Sequence, residues 1–166
     1  MDSRRADHHA LANSLGRLSD AELTALVDSG VPLGTGIGGQ VLRVEVDGRQ
    51  VFVKRIRLTE AELRPGRAQS TANVFGLPSF CHYGIGDVGS PAFGAWREPA
   101  VHTMTTDWVL SGRFMGFPLT YHWRVLPDGP RPLPDELADV DRVVAYWGGS
   151  PGLRERVEAL RSGRRA

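Results

Sequence analysis

The dipeptide Asp47-Gly48 separates two β-branched runs, Val41-Leu42-Arg43-Val44-Glu45-Val46 and Arg49-Gln50-Val51-Phe52-Val53-Lys54-Arg55-Ile56. Asp-Gly tolerates the left-handed backbone of a two-residue turn, and such turns match the twist of paired strands. A β-hairpin is therefore expected over 41–56. Val31-Pro32-Leu33 reads as a short strand leading into it through a glycine-rich stretch.

Helical spacing dominates elsewhere. Residues 7–29 read as helical, with Leu11, Leu15 and Leu18 on one face. A capping box at Ser19-Asp20-Ala21-Glu22 follows, before Leu23, Leu26 and Val27, and Gly30 serves as a stop. Thr59 to Leu63 predicts one helical turn, and residues 99–111 a helix with Pro99 in its first turn and Gly112 as its stop. Further helices are expected over 134–147 and from Pro151 to Arg161. Residues 59–95, rich in glycine and aromatics, predict an ordered insertion with a short strand near Phe80–Tyr83. Residues 117–126 predict another strand, then the turn Pro127-Asp128-Gly129-Pro130. The fold class is thus α+β. In chain order the divisions are a helical extension (1–30), a sheet-bearing segment with its insertion (31–126) and a helical end (127–166).

The stretch Leu33-Gly34-Thr35-Gly36-Ile37-Gly38-Gly39-Gln40-Val41 fits G-x-G-x-x-G-x-V. Phosphate oxygens need close N–H donors, and a loop without β-carbons lets the backbone supply them. By itself the pattern is weak in a chain with 20 glycines. Context separates the candidates. A Rossmann loop runs into a helix, whereas this one runs into a strand. A Walker A loop ends in Gly-Lys-Ser or Gly-Lys-Thr, and here Gly39 precedes Gln40 and Val41. A glycine-rich hairpin entry with no ligand is the plain alternative.

Of 20 basic residues, 19 are arginine and the remaining one is Lys54. An ammonium is a compact charge and a guanidinium a planar fork, so a lone lysine amid arginines asks for a reason. Coding bias with one survivor is the bland one. Lys54 closes Val51-Phe52-Val53-Lys54 on the strand after the turn. Strand, glycine loop, strand, turn and V-x-V-K together resemble the amino-terminal lobe of the protein-kinase family, serine/threonine type, over about residues 31–58.

That resemblance implies ATP as cosubstrate. Gly34, Gly36 and Gly39 would cover its phosphates, Val41 would lie over the adenine, and Lys54 would reach the α- and β-phosphates. The implied binding set is Leu33, Gly34, Thr35, Gly36, Gly38, Gly39, Val41, Lys54 and Glu98. Glu98 enters because the family holds its lysine with a helix glutamate. Between Arg64 and Arg131 the acids are Asp87, Glu98, Asp107 and Asp128, and Glu98 is the sole glutamate. Two departures count against it: the long gap from Lys54, and Pro99, which puts Glu98 at the helix start. An acid favoured by the helix dipole is the alternative.

Neither H-R-D nor D-F-G occurs, so the catalytic aspartate and the family's magnesium ligands are absent from this sequence, and no catalytic residue is assigned. The chain reads as a fragment, with a missing C-lobe or a protein partner at an exposed cleft. A pseudokinase-like interaction module is the second reading, and an unrelated β-rich module the third. Net charge +1 gives no field for nucleic acid. The longest apolar runs fall short of a membrane span. One cysteine, Cys81, and an opening Met1–Arg5 without an apolar run predict a reducing, cytoplasmic setting. His8-His9 reads as a solvated pair, and His82, His102 and His122 lack ligand spacing for a metal.

Overall fold

Asp47 and Gly48 both take left-handed backbone, at φ 50° and 71°, as the two-residue turn requires. They join β2 (Gly39–Val46) to β3 (Arg49–Arg55), and β1 (Val31–Gly36) precedes them, in a three-stranded antiparallel sheet of order β1-β2-β3. The computed structural model describes residues 2–36, 38–84, 93–127 and 133–162. Around the sheet in sequence lie eight helices among the described residues. They are α1 (Asp2–Arg17), α2 (Asp20–Asp28), α3 (Glu60–Leu63), α4 (Ser79–Tyr83), α5 (Arg97–Leu110), α6 (Asp135–Ala138), α7 (Val140–Tyr146) and α8 (Pro151–Ser162). None of the described helices is long and apolar enough to cross a membrane.

The chain divides into two units that cut across sequence order. One comprises Met1–Leu33, Val41–Lys54 and Glu98–Leu126, the other Gly34–Gln40, Arg55–Arg97 and Pro127–Ala166. In the first unit, alternation along the strands sends Leu42, Val44 and Val46 of β2, with Val51 and Val53 of β3, to one face. Leu11 and Leu15 of α1 and Leu23 and Val27 of α2 cover that face. The two helices are therefore half of the sheet's core rather than an appendage. The break between them is held by the predicted box: Glu22 N–H donates to Ser19 Oγ, and Ser19 N–H to Glu22 Oε2 at 2.8 Å. The Ser19 hydroxyl also donates to Glu22 Oε2 at 2.7 Å, and that bond first, then the one from the Ser19 N–H, holds the Glu22 carboxyl below its ordinary range.

Residues 117–126 do not form the expected strand. At Phe117 and Thr120 the backbone meets side chains instead, as it does just before, at Met115. Arg4 donates to the carbonyls of Met115 and Phe117, each at 2.8 Å. His8 Nε2 donates to the Thr120 carbonyl at 3.1 Å, and Thr120 N–H donates to Thr106 Oγ1 at 2.9 Å. Pro118 offers no N–H to a ladder. His8, expected in solvent, is thereby half-buried beside Tyr121.

In the second unit, Leu77, Cys81 and Phe93 share a core with Leu137, Val140, Val143, Val144, Leu153 and Val157. The insertion is thus anchored on the C-terminal helices. Phe80–Tyr83 is helical, not extended: α4 begins after Pro78 and ends at Gly84, whose φ of 65° stops it. Cys81 is fully buried, which pushes its thiol up. The single helix expected over 134–147 is two, because Asp139 leaves helical backbone and its carboxylate accepts the Arg142 N–H to start α7. Of the turn expected at Pro127–Pro130, residues 128–130 lie outside the described residues.

Candidate functional site

Strand alternation decides where Lys54 points. Val51 and Val53 face the helical core, so Phe52 and Lys54 stand on the opposite face of β3. Glu98 is the second residue of α5. Pro99 fits there because a first-turn N–H has no intrahelical acceptor to lose. Its carbonyl accepts from Thr103 Oγ1 at 2.8 Å. Thr105, Thr106 and Val109 anchor the helix on its buried side.

Lys54 Nζ donates to Glu98 Oε2 at 2.6 Å. The two side chains are 37% and 35% exposed, so the pair contributes no more than about 1 kcal/mol to stability. A third group joins them: His102, one turn further along α5, places Nε2 3.9 Å from Glu98 Oε1. The sequence spans 44 residues between lysine and glutamate, yet the fold brings the charges into contact. Glu98 also keeps the helix-start position that the dipole favours, so the two accounts of this acid coexist.

The glycines divide by what surrounds them. Gly34, Thr35 and Gly36 end β1, Gly38 lies in a turn and Gly39 opens β2. Ile37 is outside the described residues. A β-carbon on Gly34 would meet nothing within 4 Å. Gly39, at φ 118°, has a different reason to be glycine: any β-carbon there would run into the Arg55 carbonyl. Leu33 is 49% exposed, and Val41 is half-buried on β2.

Lys54 and Glu98 are thus joined directly, and Leu33, Val41 and Lys54 belong to strands of one sheet. Sequence reasoning weighed His102 only as a metal ligand and gave Phe52 no role of its own. The spacing of His102 from Glu98, one helical turn, was the available signal for the first. Strand alternation with Lys54 was the signal for the second.

Chemically, the arrangement offers a compact cation held in place by a carboxylate that is itself open to solvent. An anion can take the ammonium's remaining donors without burying an unpaired charge. Comparison with protein-family models, with curated proteins and with solved structures returned no match to this chain.

Proposed function

We propose that this chain is the ATP-gripping lobe of a protein-kinase-like phosphotransferase of serine/threonine type. The observation that carries the reading is the contact between Lys54 and Glu98. The chain's one lysine sits on the strand after the glycine hairpin, and the first glutamate of the next long helix holds it. A polyphosphate would take the Lys54 ammonium, and Glu98 would keep that ammonium in register. Magnesium accompanies ATP in that family, but no residue of this chain fits the role of its ligands.

Chemistry needs more than a grip. Phosphoryl transfer requires a placed nucleophile and metal-bridged phosphates, and the sequence lacks H-R-D and D-F-G. ATP held without turnover follows, and this chain alone transfers no phosphoryl group. The same lack favours a second reading, a pseudokinase-like module that uses the lobe for association. A cytoplasmic setting accords with the single, buried thiol.

The test is thermal unfolding with and without ATP. A rise in melting temperature that disappears in Lys54→Ala supports nucleotide gripping. No rise in the unaltered protein removes the reading and leaves the association module.

A further inference from the structure

α5 reverses the usual amphipathic arrangement. It buries Thr105 and Thr106 with Val109, while Val101 and Met104 are 46% and 44% exposed. Val101, Met104 and Trp108 recur at intervals of three and four, so they form one stripe, on the side that the core leaves open. The stripe continues where α5 ends. The Trp108 ring lies 5.9 Å from that of Phe117, and Phe117 lies 4.9 Å from Phe114, which is 53% exposed. A β-carbon on Gly116 would strike the Phe114 ring, so glycine there lets the ring lie against its own chain. All of these residues belong to the first unit. Single exposed apolar residues need no explanation, but a contiguous stripe marks a contact surface.

Two charges on this surface say what covers it. Asp107 follows Met104 by three residues on the helix, and Arg113 stands directly before Phe114. Both are exposed, and neither pairs with an opposite charge among the described residues. In a two-fold dimer the same patch lies on both subunits, so each group meets a different group of the copy and is met by it in return. A rim of one sign would repel its own copy, whereas a rim carrying an acid and a base can pair twice. The net charge of +1 adds little repulsion between copies. We propose that the outer stripe of α5 and the aromatic cluster at its end join two copies of this chain about a two-fold axis, with Asp107 of one copy set against Arg113 of the other. This contact does not rest on the nucleotide reading, and either stands if the other fails.

Sedimentation equilibrium of the whole chain from about 1 to about 100 μM tests the dimer. The unaltered protein should move from 18.1 kDa toward twice that mass as concentration rises. Met104→Asp places a charge in the stripe and should hold the chain at the single mass. Asp107→Arg sets like charges together at both ends of the contact and should weaken association about tenfold. Adding Arg113→Asp returns opposite charges in reversed order and should restore association, which a surface acting through apolar contact alone would not do. The altered side chains are exposed, so melting at the lowest concentration should match that of the unaltered protein, which separates lost association from lost folding. A single mass at every concentration would overturn the proposal and leave the face to a different protein. Dimers that Asp107→Arg does not weaken, or that the double variant does not regain, would overturn it as well.

Discussion

A β-carbon on Gly39 would collide with the main-chain carbonyl oxygen of Arg55. The collision is with backbone, which cannot swing aside as a side chain would. The φ of 118° adds a conformational penalty for any L-residue. Gly39→Ala should therefore destabilise the protein by about 2–4 kcal/mol, read as a lower midpoint in urea unfolding with no ligand present. A midpoint within experimental error of the unaltered protein would show that β3 does not approach Gly39 as described.

Gly34 gives the complementary case, since the space beside it is open. Gly34→Ala should leave the urea midpoint within about 0.5 kcal/mol of the unaltered protein. Any effect should surface only when ATP is added, as a smaller rise in melting temperature, because the new methyl group occupies space where a phosphate would approach the backbone. A fall in unliganded stability as large as that of Gly39→Ala would assign Gly34 a purely structural role.

Lys54 and Glu98 offer the same kind of separation. Both are about one-third exposed, so the pair is screened by water and contributes little to folding. Glu98→Gln should change unliganded stability by less than about 1 kcal/mol. It should nonetheless reduce the ATP-induced rise in melting temperature, because an ammonium without its carboxylate is no longer held in one position. If Glu98→Gln and the unaltered protein respond to ATP alike, Glu98 is only an acid placed at a helix start.

The parts of this molecule that could be read from sequence are those governed by neighbours in sequence. Asp47-Gly48 announced the hairpin because turn geometry depends on the turn residues themselves. Ser19 and Glu22 announced a helix start for the same reason. The pairing of Lys54 with Glu98 could be anticipated across 44 residues because so few acids were available. What stayed hidden depends on distant partners. Residues 117–126 have a strand's composition, but the Phe117 and Thr120 carbonyls are taken by Arg4 and His8, more than a hundred residues earlier. Periodicity over the five residues of α4 cannot tell helix from strand, and Gly84 carried the better signal. The steric need for Gly39 comes from Arg55, and no glycine pattern reports it.

Protonation of His122 gives a pH dependence with a definite sign. Its Nε2 is buried without a hydrogen-bond partner among the described residues. Burial, and secondarily the Arg124 guanidinium, lowers its pKa from the ordinary 6.5. The unfolded chain therefore binds a proton at a higher pH than the folded one. Stability from this group is complete above pH 6.5 and declines as pH falls below it toward the folded-state value. Urea midpoints should drop between neutral pH and pH 5, and His122→Phe should flatten that part of the profile. An equal slope in His122→Phe would assign the acid sensitivity to other groups.

Glu62 and Arg156 present the opposite regime from Lys54 and Glu98. Both are only 4% exposed, and Arg156 Nε donates to Glu62 Oε1 at 3.1 Å. The other carboxylate oxygen accepts from the Thr59 N–H and hydroxyl at 2.9 Å, closing the box that starts α3. The Glu62 carbonyl in turn accepts from the Trp96 indole at 2.9 Å. A buried pair is costly to desolvate, so its net contribution is small, yet breaking it strands a charge away from water. Arg156→Met should cost about 3–5 kcal/mol, since it leaves the Glu62 carboxylate without its counter-charge. Adding Glu62→Gln should recover much of that loss, because the neutral amide can still accept from Thr59 without leaving a charge buried. Urea unfolding of the two single variants and the double variant measures the coupling. Strictly additive losses would mean that the two charges do not depend on one another, and that the core of Leu77, Phe93 and Leu153 alone holds this unit together.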